Sequence, residues 1–220
     1  MSPTIREPKQ QRGRESWERI LDAGEAVLAE DGWDGFTLAT ISSRAGLSNG
    51  AIYHRVDGKE TLLAAVHTRF VERLSLRSRL RNPPDSWTEL TLPELVAVVV
   101  LDLAETFREN ERLLRAFVLT EGRDAGCAER GAEAVRSEGQ AFVRLVAPAL
   151  AKELHPDPVG TATFLFQMVF GALMHRVTWP HHVTGRRLGW NAYINRLTVA
   201  ALASLGARAA YDTVQERSST

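Results

Sequence analysis

The stretch from residue 37 to residue 59, TLATISSRAGLSNGAIYHRVDGK, constrains the fold more than any other part of the chain. Thr37 precedes a short helix predicted over 38 to 44 or 45, and its hydroxyl can accept a hydrogen bond from a free N–H of the first turn. Gly46 follows at the position where a left-handed residue ends a helix without steric cost. A second short helix is predicted from residue 49. This spacing predicts a helix-turn-helix.

The second helix of this motif spans residues 49–55, and Ser48 is its predicted N-cap. It is too short to be stable alone, because helix nucleation is costly and about two turns of hydrogen bonds offset that cost only weakly. Neighbouring elements must therefore hold it through Ala51 or Ile52. Its outward residues carry groups that bond phosphates and base edges: Asn49, Gly50, Tyr53, His54 and Arg55. This makeup is typical of a recognition helix.

The composition indicates a soluble globular protein that can bury a full core. The chain has 220 residues, 44% of them hydrophobic, and its longest apolar runs are well short of the roughly 20 residues that span a bilayer. The N-terminal segment lacks the apolar region of a secretory signal. Cys127 is the single cysteine, so we expect no disulfide framework and a cytoplasmic location, with no membrane partner.

The formal net charge is zero, so the distribution of charge matters more than its sum. Residues 1–14 and 69–81 are both basic segments. Residues 1–60 together are net acidic, with eight Lys and Arg against ten Asp and Glu. If this region binds nucleic acid, its carboxylates must face away from the phosphates.

Apolar residues recur at helical spacing along the rest of the chain, without the alternation of a strand, so we predict an all-α fold. Residues 1–14 are expected to form a flexible arm, although a tail without a function is the alternative. Residues 15–60 form the helix-turn-helix domain, residues 61–212 a second all-helical domain, and residues 213–220 a tail.

Local sequence signals also predict where individual helices end or bend. The first helix, 14–30, is expected to end at Asp31 and Gly32, because glycine ends a helix easily. Aromatic residues of the following connector, 33–36, are expected to pack beneath the helix-turn-helix. Pro148 should kink a long helix over 128–154, because proline has no N–H to donate.

The sequence over residues 17–63 resembles the tetracycline-repressor-like (TetR/AcrR) transcriptional regulators, through the run TLATISSRAGLSNGAIYH and the downstream KETLL. The C-terminal two-thirds is similar to this family only in length and helical pattern. The resemblance implies a three-helix DNA-binding domain, a linking helix, and a helical domain that binds a ligand and dimerises. One departure is Val56, where the family usually has phenylalanine; Trp33 or Phe36 would have to supply the missing bulk.

The resemblance also implies roles for residues of the motif. Phosphate contacts are implied for Thr37, Ser48, Tyr53 and Lys59, and base-edge positions for Asn49, Gly50, Ala51 and His54. Lys59 at a helix N-terminus would hold a phosphate together with free N–H groups, and Arg44 and Arg55 are further candidates for backbone contacts. The implied function is sequence-specific transcriptional regulation, with repression that a small hydrophobic ligand relieves.

Regulators of this family are generally homodimers that join through their last two long helices, here 159–179 and 190–209. The first of these is too apolar to be covered by one neighbour, which supports a second chain. The expected interface residues are Leu165, Val169, Ala172, Trp190, Ile194, Leu197, Ala201 and Leu205. Two-fold symmetry then implies a palindromic double-stranded DNA operator, with recognition helices about 34 Å apart.

The resemblance further implies a cavity for a small-molecule effector in the C-terminal domain. Aromatic, methionine and polar residues on the surrounding helices are its candidate lining, although aromatics at helical spacing are more often ordinary core. The candidates are Phe107, Phe117, Phe142, Phe166, Gln167, Phe170, Met174, His175 and Trp179.

Other classes of function find less support in the sequence. His175, His181 and His182 could suggest a metal site, but their spacing matches no established ligand pattern. The chain has no Gly-rich phosphate loop, nucleophile elbow or HExxH motif, so we expect neither an enzyme nor a bound cofactor. A helical protein-protein adaptor that retains a helix-turn-helix is the alternative function.

Overall fold

The computed structural model describes residues 11–81, 87, 89–179 and 188–206. Within these ranges every regular element is helical, which confirms the predicted all-α class. The predicted tail over 213–220 lies outside them. The helices in chain order are α1 (Gln11–Gly35), α2 (Leu38–Ala45), α3 (Asn49–Tyr53), α4 (Lys59–Arg81), α5 (Leu92–Glu109), α6 (Glu111–Glu121), α7 (Ala125–Lys152), α8 (Pro158–Thr178) and α9 (Trp190–Gly206).

The chain forms two compact units. The first comprises Met1–Leu80 and Asn110–Arg136, and the second comprises Arg81–Glu109 and Ser137–Thr220. The helix-turn-helix therefore shares its unit with α4, α6 and the first part of α7. The division predicted at residue 60 follows the sequence pattern and stays a prediction.

Helix α1 supplies the largest apolar face of the first unit. It begins at Gln11, so residues 11–14, predicted as part of a flexible arm, are helical, while residues 1–10 lie outside the described ranges. At Gly32 the backbone leaves the helix with φ 64° and ψ −163°, a conformation that only glycine adopts easily. The break confirms the predicted helix end. The buried residues of α1 are Trp17, Ile20, Leu21, Ala23, Gly24, Val27 and Leu28.

The connector after the break packs beneath the helix-turn-helix, as predicted. Phe36 is fully buried, and the ring of Trp33 stacks on it with the two centroids 6.2 Å apart. Val56 is also fully buried and belongs to the same apolar cluster. The two aromatic rings thus supply bulk in the core that contains the smaller Val56 side chain.

Ion pairs join α1 to α4. Arg69 binds three carboxylates of α1, at 3.0 Å from Glu18, 2.8 Å from Asp22 and 2.9 Å from Glu25. Arg73 adds a second cation at 2.8 Å from Glu25. The Arg69 and Glu25 side chains are only 18% and 13% exposed, so solvent screens their attraction less than it would at the surface.

A buried histidine lies in the core of the first unit. His67 on α4 is 5% exposed, and its ring meets Phe117 of α6 edge to face with the centroids 4.5 Å apart. Burial, with a smaller contribution from the nearby Arg130 charge, lowers the pKa of His67 from 6.5 to about 4. Among the described residues, His67 Nδ1 has no hydrogen-bond partner.

This histidine should make the stability of the protein depend on pH. The unfolded chain binds a proton at His67 below about pH 6.5 and the folded chain does not until about pH 4, so stability falls as pH drops through this window. We expect wild type to lose roughly 2–3 kcal/mol relative to His67→Phe between pH 6.5 and 4.5. Urea unfolding of both proteins in a carboxylate-free buffer measures this difference. Parallel pH dependences would contradict it.

The second unit contains α5, α8 and α9 and the last part of α7, and α5 packs against both α8 and α9. Pro148 lies inside α7, and the helix continues past it to Lys152. Helix α8 starts at Pro158, where the missing N–H costs nothing, and the Asp157 carboxylate accepts from Gly160 N at 2.9 Å.

Candidate nucleic-acid interface

The turn between α2 and α3 has the predicted backbone geometry. The Thr37 hydroxyl accepts a hydrogen bond from Thr40 N at 3.1 Å, which caps α2. Gly46 adopts the left-handed conformation with φ 66° and ψ 37°, and Leu47 N donates to Ser42 O at 2.9 Å. These bonds satisfy the last carbonyls of α2 and reverse the chain within a few residues.

Helix α3 is short and is held from below. Ile52 is fully buried in the core of the first unit, whereas Ala51 is only half-buried, so Ile52 is the anchor. The Ser48 hydroxyl makes no capping hydrogen bond, so the prediction that this side chain caps α3 is wrong. The exposed residues are those predicted to face outward: Ser48, Asn49, Gly50, Tyr53 and His54.

A side-chain hydrogen bond ties the start of α3 to α2. The buried hydroxyl of Ser42 donates to Asn49 Oδ1, which fixes the carbonyl end of that amide against α2. The Asn49 NH2 group is then the end of the amide that remains for an external acceptor, such as a phosphate or a base-edge oxygen. Ser42 is thus a positioning residue that the helical pattern alone did not reveal.

Two of the predicted phosphate-contacting arginines bind acceptors of the protein itself. Arg44 forms a bidentate pair with the Glu30 carboxylate at 2.6 and 2.8 Å, and Arg55 Nη2 donates to Gly13 O at 3.1 Å. The pair between Arg44 and Glu30 is solvent-exposed, so it stabilises the fold little. Arg44 is therefore placed by the fold beside the motif with its charge already compensated.

Lys59 also has a partner within the fold. Its ammonium donates to Trp33 O at 2.7 Å and lies 3.7 Å from the centroid of the Trp33 ring. Burial lowers the pKa of Lys59, although the nearby carboxylates of Asp34 and Glu60 act in the opposite direction. The side chain therefore fixes the start of α4 to the connector, and its predicted phosphate contact would use the remaining N–H groups.

We expect Lys59 to contribute to stability through this contact. Lys59→Met keeps most of the aliphatic stem but removes the hydrogen bond and the cation–π contact, so it should lower the free energy of unfolding by about 1 kcal/mol. Lys152→Met removes an exposed lysine and serves as the control. Thermal unfolding measures both variants. Equal melting temperatures for the two would refute the structural role of Lys59.

The surface around α2 and α3 carries no negative side chain of its own. No Asp or Glu occurs between Asp34 and Asp57 in the sequence. Thr40 and Ser43 are further exposed hydroxyls on α2 that were not predicted as contacts, although they lie three and six residues after Thr37 and so share its side of the helix. Such a surface of hydroxyls and amides can approach phosphates without repulsion.

The structure brings together four of the predicted ligand-binding residues. Ring centroids are 5.4 Å apart for Phe107 and Phe170, 5.3 Å for Phe170 and Phe166, and 5.6 Å for Phe166 and Phe142. Gly139 permits this packing, because a Cβ there would lie 2.9 Å from the Phe166 ring. We call these four phenylalanines the aromatic cluster.

The other predicted ligand-binding residues lie elsewhere. Phe117 packs on His67 and Phe70 in the first unit, so it does not belong to the aromatic cluster. Gln167, His175 and Trp179 are exposed on α8 and at its end, and Met174 is half-buried. The sequence predicted a single lining because these residues share helices with the cluster, but they face different directions.

The predicted dimer-interface residues fall into two groups. Leu165, Val169, Ile194 and Ala201 are buried within their own unit, so they have almost no surface left for a second chain. Ala172, Trp190, Leu197 and Leu205 are half-buried. The fully exposed positions of the two helices form other stripes, which include Thr163, Phe164, Gln167 and Gly171 on α8 and Ala192, Asn195, Val199, Ala200 and Ala203 on α9.

The residues that could hold a metal or act as a nucleophile are also placed. His181 and His182 lie outside the described residues, and in the described part of the chain no three His, Cys, Asp or Glu side chains cluster as metal ligands. Cys127 is fully buried, and burial raises the pKa of its thiol to about 11.

The geometry of α2, the left-handed turn and α3 defines a helix-turn-helix protein. Residues 20–66 match the family model described as bacterial regulatory proteins, tetR family. The chain belongs to this family, as its resemblance predicted.

Two curated relatives match about half of the chain. The HTH-type transcriptional regulator CymR of Pseudomonas putida is 36% identical over 115 residues, which are 50% of this chain and 52% of CymR. The uncharacterized HTH-type transcriptional regulator YvdT of Bacillus subtilis (strain 168) is 30% identical over 107 residues, 48% of this chain and 50% of YvdT. The chain thus spans about half the length of the curated relatives that it matches.

Solved structures extend the likeness over most of the chain. A bacterial regulatory protein in the tetR family from Rhodococcus RHA1 aligns with a TM-score of 0.66 and 18% identity, covering 87% of this chain and 97% of that one. At this identity the likeness shows the fold. Of the helices described, none is long and apolar enough to cross a membrane.

Proposed function

We propose that this chain is a sequence-specific DNA-binding transcriptional regulator, and that it acts as a repressor. The observation that carries the proposal is the exposed surface of α3, where Asn49, Gly50, Tyr53 and His54 face solvent above the buried Ile52. Side chains of these types bond phosphates and base edges. The absence of acids from residues 35–56 leaves this surface free of repulsion.

Tyr53 provides the sharpest test of the interface. It is 58% exposed, and its hydroxyl has no hydrogen-bond partner among the described residues, so removing the side chain should leave the fold intact. We expect Tyr53→Phe to weaken DNA binding about threefold to tenfold through loss of one hydrogen bond, and Tyr53→Ala to weaken it further.

The measurement uses duplexes that the wild-type protein selects from a random-sequence pool, with affinity read by fluorescence anisotropy at several salt concentrations. Leu119→Ala is the control, because Leu119 is 59% exposed in the same unit but lies on α6. Unchanged affinity for Tyr53→Ala would remove α3 from the interface. Failure to select any duplex would instead favour the adaptor function.

We propose further that the regulator is a homodimer that joins through the exposed stripes of α8 and α9. Phe164 on α8 is 59% exposed and Val199 on α9 is 65% exposed, and the exposed neighbours of Val199 include Ala192, Ala200 and Ala203. Small side chains let two helices approach closely, and contiguous exposed apolar residues mark interaction surfaces. A two-fold dimer would read a palindromic operator.

A charge at Val199 should prevent this association. Val199→Asp would place a carboxylate in the apolar contact and leave it unpaired there, so we expect monomers where wild type forms dimers. Leu101→Asp introduces the same charge at an exposed leucine of α5 in the same unit and should leave the dimer intact. Sedimentation velocity distinguishes the two variants. A dimeric Val199→Asp protein would exclude these stripes.

We propose that a small hydrophobic molecule releases the operator by binding in the second unit, within the predicted ligand-binding and dimerisation domain over 61–212. The aromatic cluster supports this assignment, because four phenylalanines and Gly139 provide an apolar, polarisable environment. Ligand and operator would favour different states of the dimer, so each must weaken binding of the other by the same factor.

A further inference from the structure

Arg130, on the first part of α7, has buried nitrogen atoms without hydrogen bonds. Its Nε and Nη2 atoms are both inaccessible to solvent, and neither has a partner in the part of the chain that the structure describes. The nearest carboxylate, Asp124, lies 3.7 Å from Nη2, beyond hydrogen-bond distance. Oδ1 of Asp124 instead accepts from Cys127 N at 2.5 Å, which caps α7.

These two atoms form a specific receptor. The N–H groups at Nε and Nη2 lie on one edge of the planar guanidinium and point in the same direction, which matches the two oxygens of a carboxylate. Burying such donors unpaired is unfavourable, and buried charged groups are nearly always hydrogen-bonded. The edge of Arg130 therefore has the chemistry of a bidentate oxyanion site.

His67 supplies a second polar atom at the same place. Its Nδ1 atom is buried and unpartnered among the described residues. The charge of Arg130 acts on the pKa values of both His67 and Cys127, which places the guanidinium close to the two side chains. A neutral imidazole with its proton on Nδ1 can donate one more hydrogen bond to an anion.

The surroundings of these groups are apolar. The Phe117 ring packs on His67 and lies 5.3 Å from the ring of Phe70, and Cys127 Sγ donates a weak hydrogen bond to Phe117 O at 3.9 Å. Asp124 already supplies one negative charge beside Arg130, so a single additional negative charge fits better than a dianion such as phosphate.

We propose that Arg130 and His67 form a binding site in the first unit for a monocarboxylate carried on an apolar body. The carboxylate oxygens accept from Nε and Nη2 of Arg130, and one of them also accepts from Nδ1 of His67. This site uses no residue of the aromatic cluster and none of α3. The inference does not depend on the proposed function, because binding to it is measured without DNA.

The test compares acids with their neutral amides on the full-length protein. Sodium benzoate and sodium octanoate, at up to about 10 mM, should raise the melting temperature of wild type, as any ligand of the native state does. Benzamide and octanamide have the same apolar bodies without the charge and should raise it much less. Isothermal titration calorimetry gives the dissociation constants.

Variants assign the effect to the two residues. Arg130→Met removes the charge and the fork, and Arg130→Lys keeps the charge but loses the fork, so both should weaken carboxylate binding at least about tenfold. His67→Phe should weaken it by a smaller factor. Arg136→Met is the matched control on the same helix, since Arg136 is exposed and pairs with Glu133, and it should bind as wild type does.

Three outcomes would overturn the proposal. The first is equal stabilisation by acids and amides, or none by either. The second is full carboxylate binding by a folded Arg130→Lys protein. The third is a crystal structure grown with benzoate in which a water molecule, and no carboxylate, occupies the Nε and Nη2 edge. None of these outcomes bears on DNA binding by α3, so failure here is distinguishable from failure of the proposed function.

Discussion

The burial of Ile52 beneath a five-residue helix is the contact on which the proposed interface depends. A helix as short as α3 cannot hold its own conformation, so its geometry is that of the core below it. The left-handed Gly46 sets the direction in which α3 leaves α2, and the bond from Ser42 to Asn49 fixes its first residue. The recognition surface is therefore as rigid as the first unit and no more so.

Ion pairs explain how a net acidic N-terminal region can present a surface to DNA. Three of its ten acids, all on α1, are bound by Arg69 and Arg73, which lie beyond residue 60 and so were not counted with it. Glu30 is paired with Arg44. The remaining requirement, that the motif itself lack acids, is already met by the sequence between Asp34 and Asp57.

The sequence predicted features that depend on local chemistry, and it failed where partners are distant in the chain. Thr37, Gly46 and Ile52 follow from capping, left-handed backbone and periodicity, each within a few residues. The acceptors of Arg44 and Lys59 lie 14 and 26 residues earlier, and nothing local indicates them. On α8 and α9, apolar residues occur on several faces, so periodicity could not separate residues that pack within the chain from those that a second chain could cover.

The acid-free segment between residues 35 and 56 also affects how the protein would meet its target. A molecule with zero net charge has little long-range attraction for a polyanion, so encounters depend on the local field of the part that leads. The field near α2 and α3 is neutral to positive, whereas acids begin again at Asp57. Charge distribution would thus select productive orientations of approach, and it would leave weak sequence-independent adhesion elsewhere on the surface.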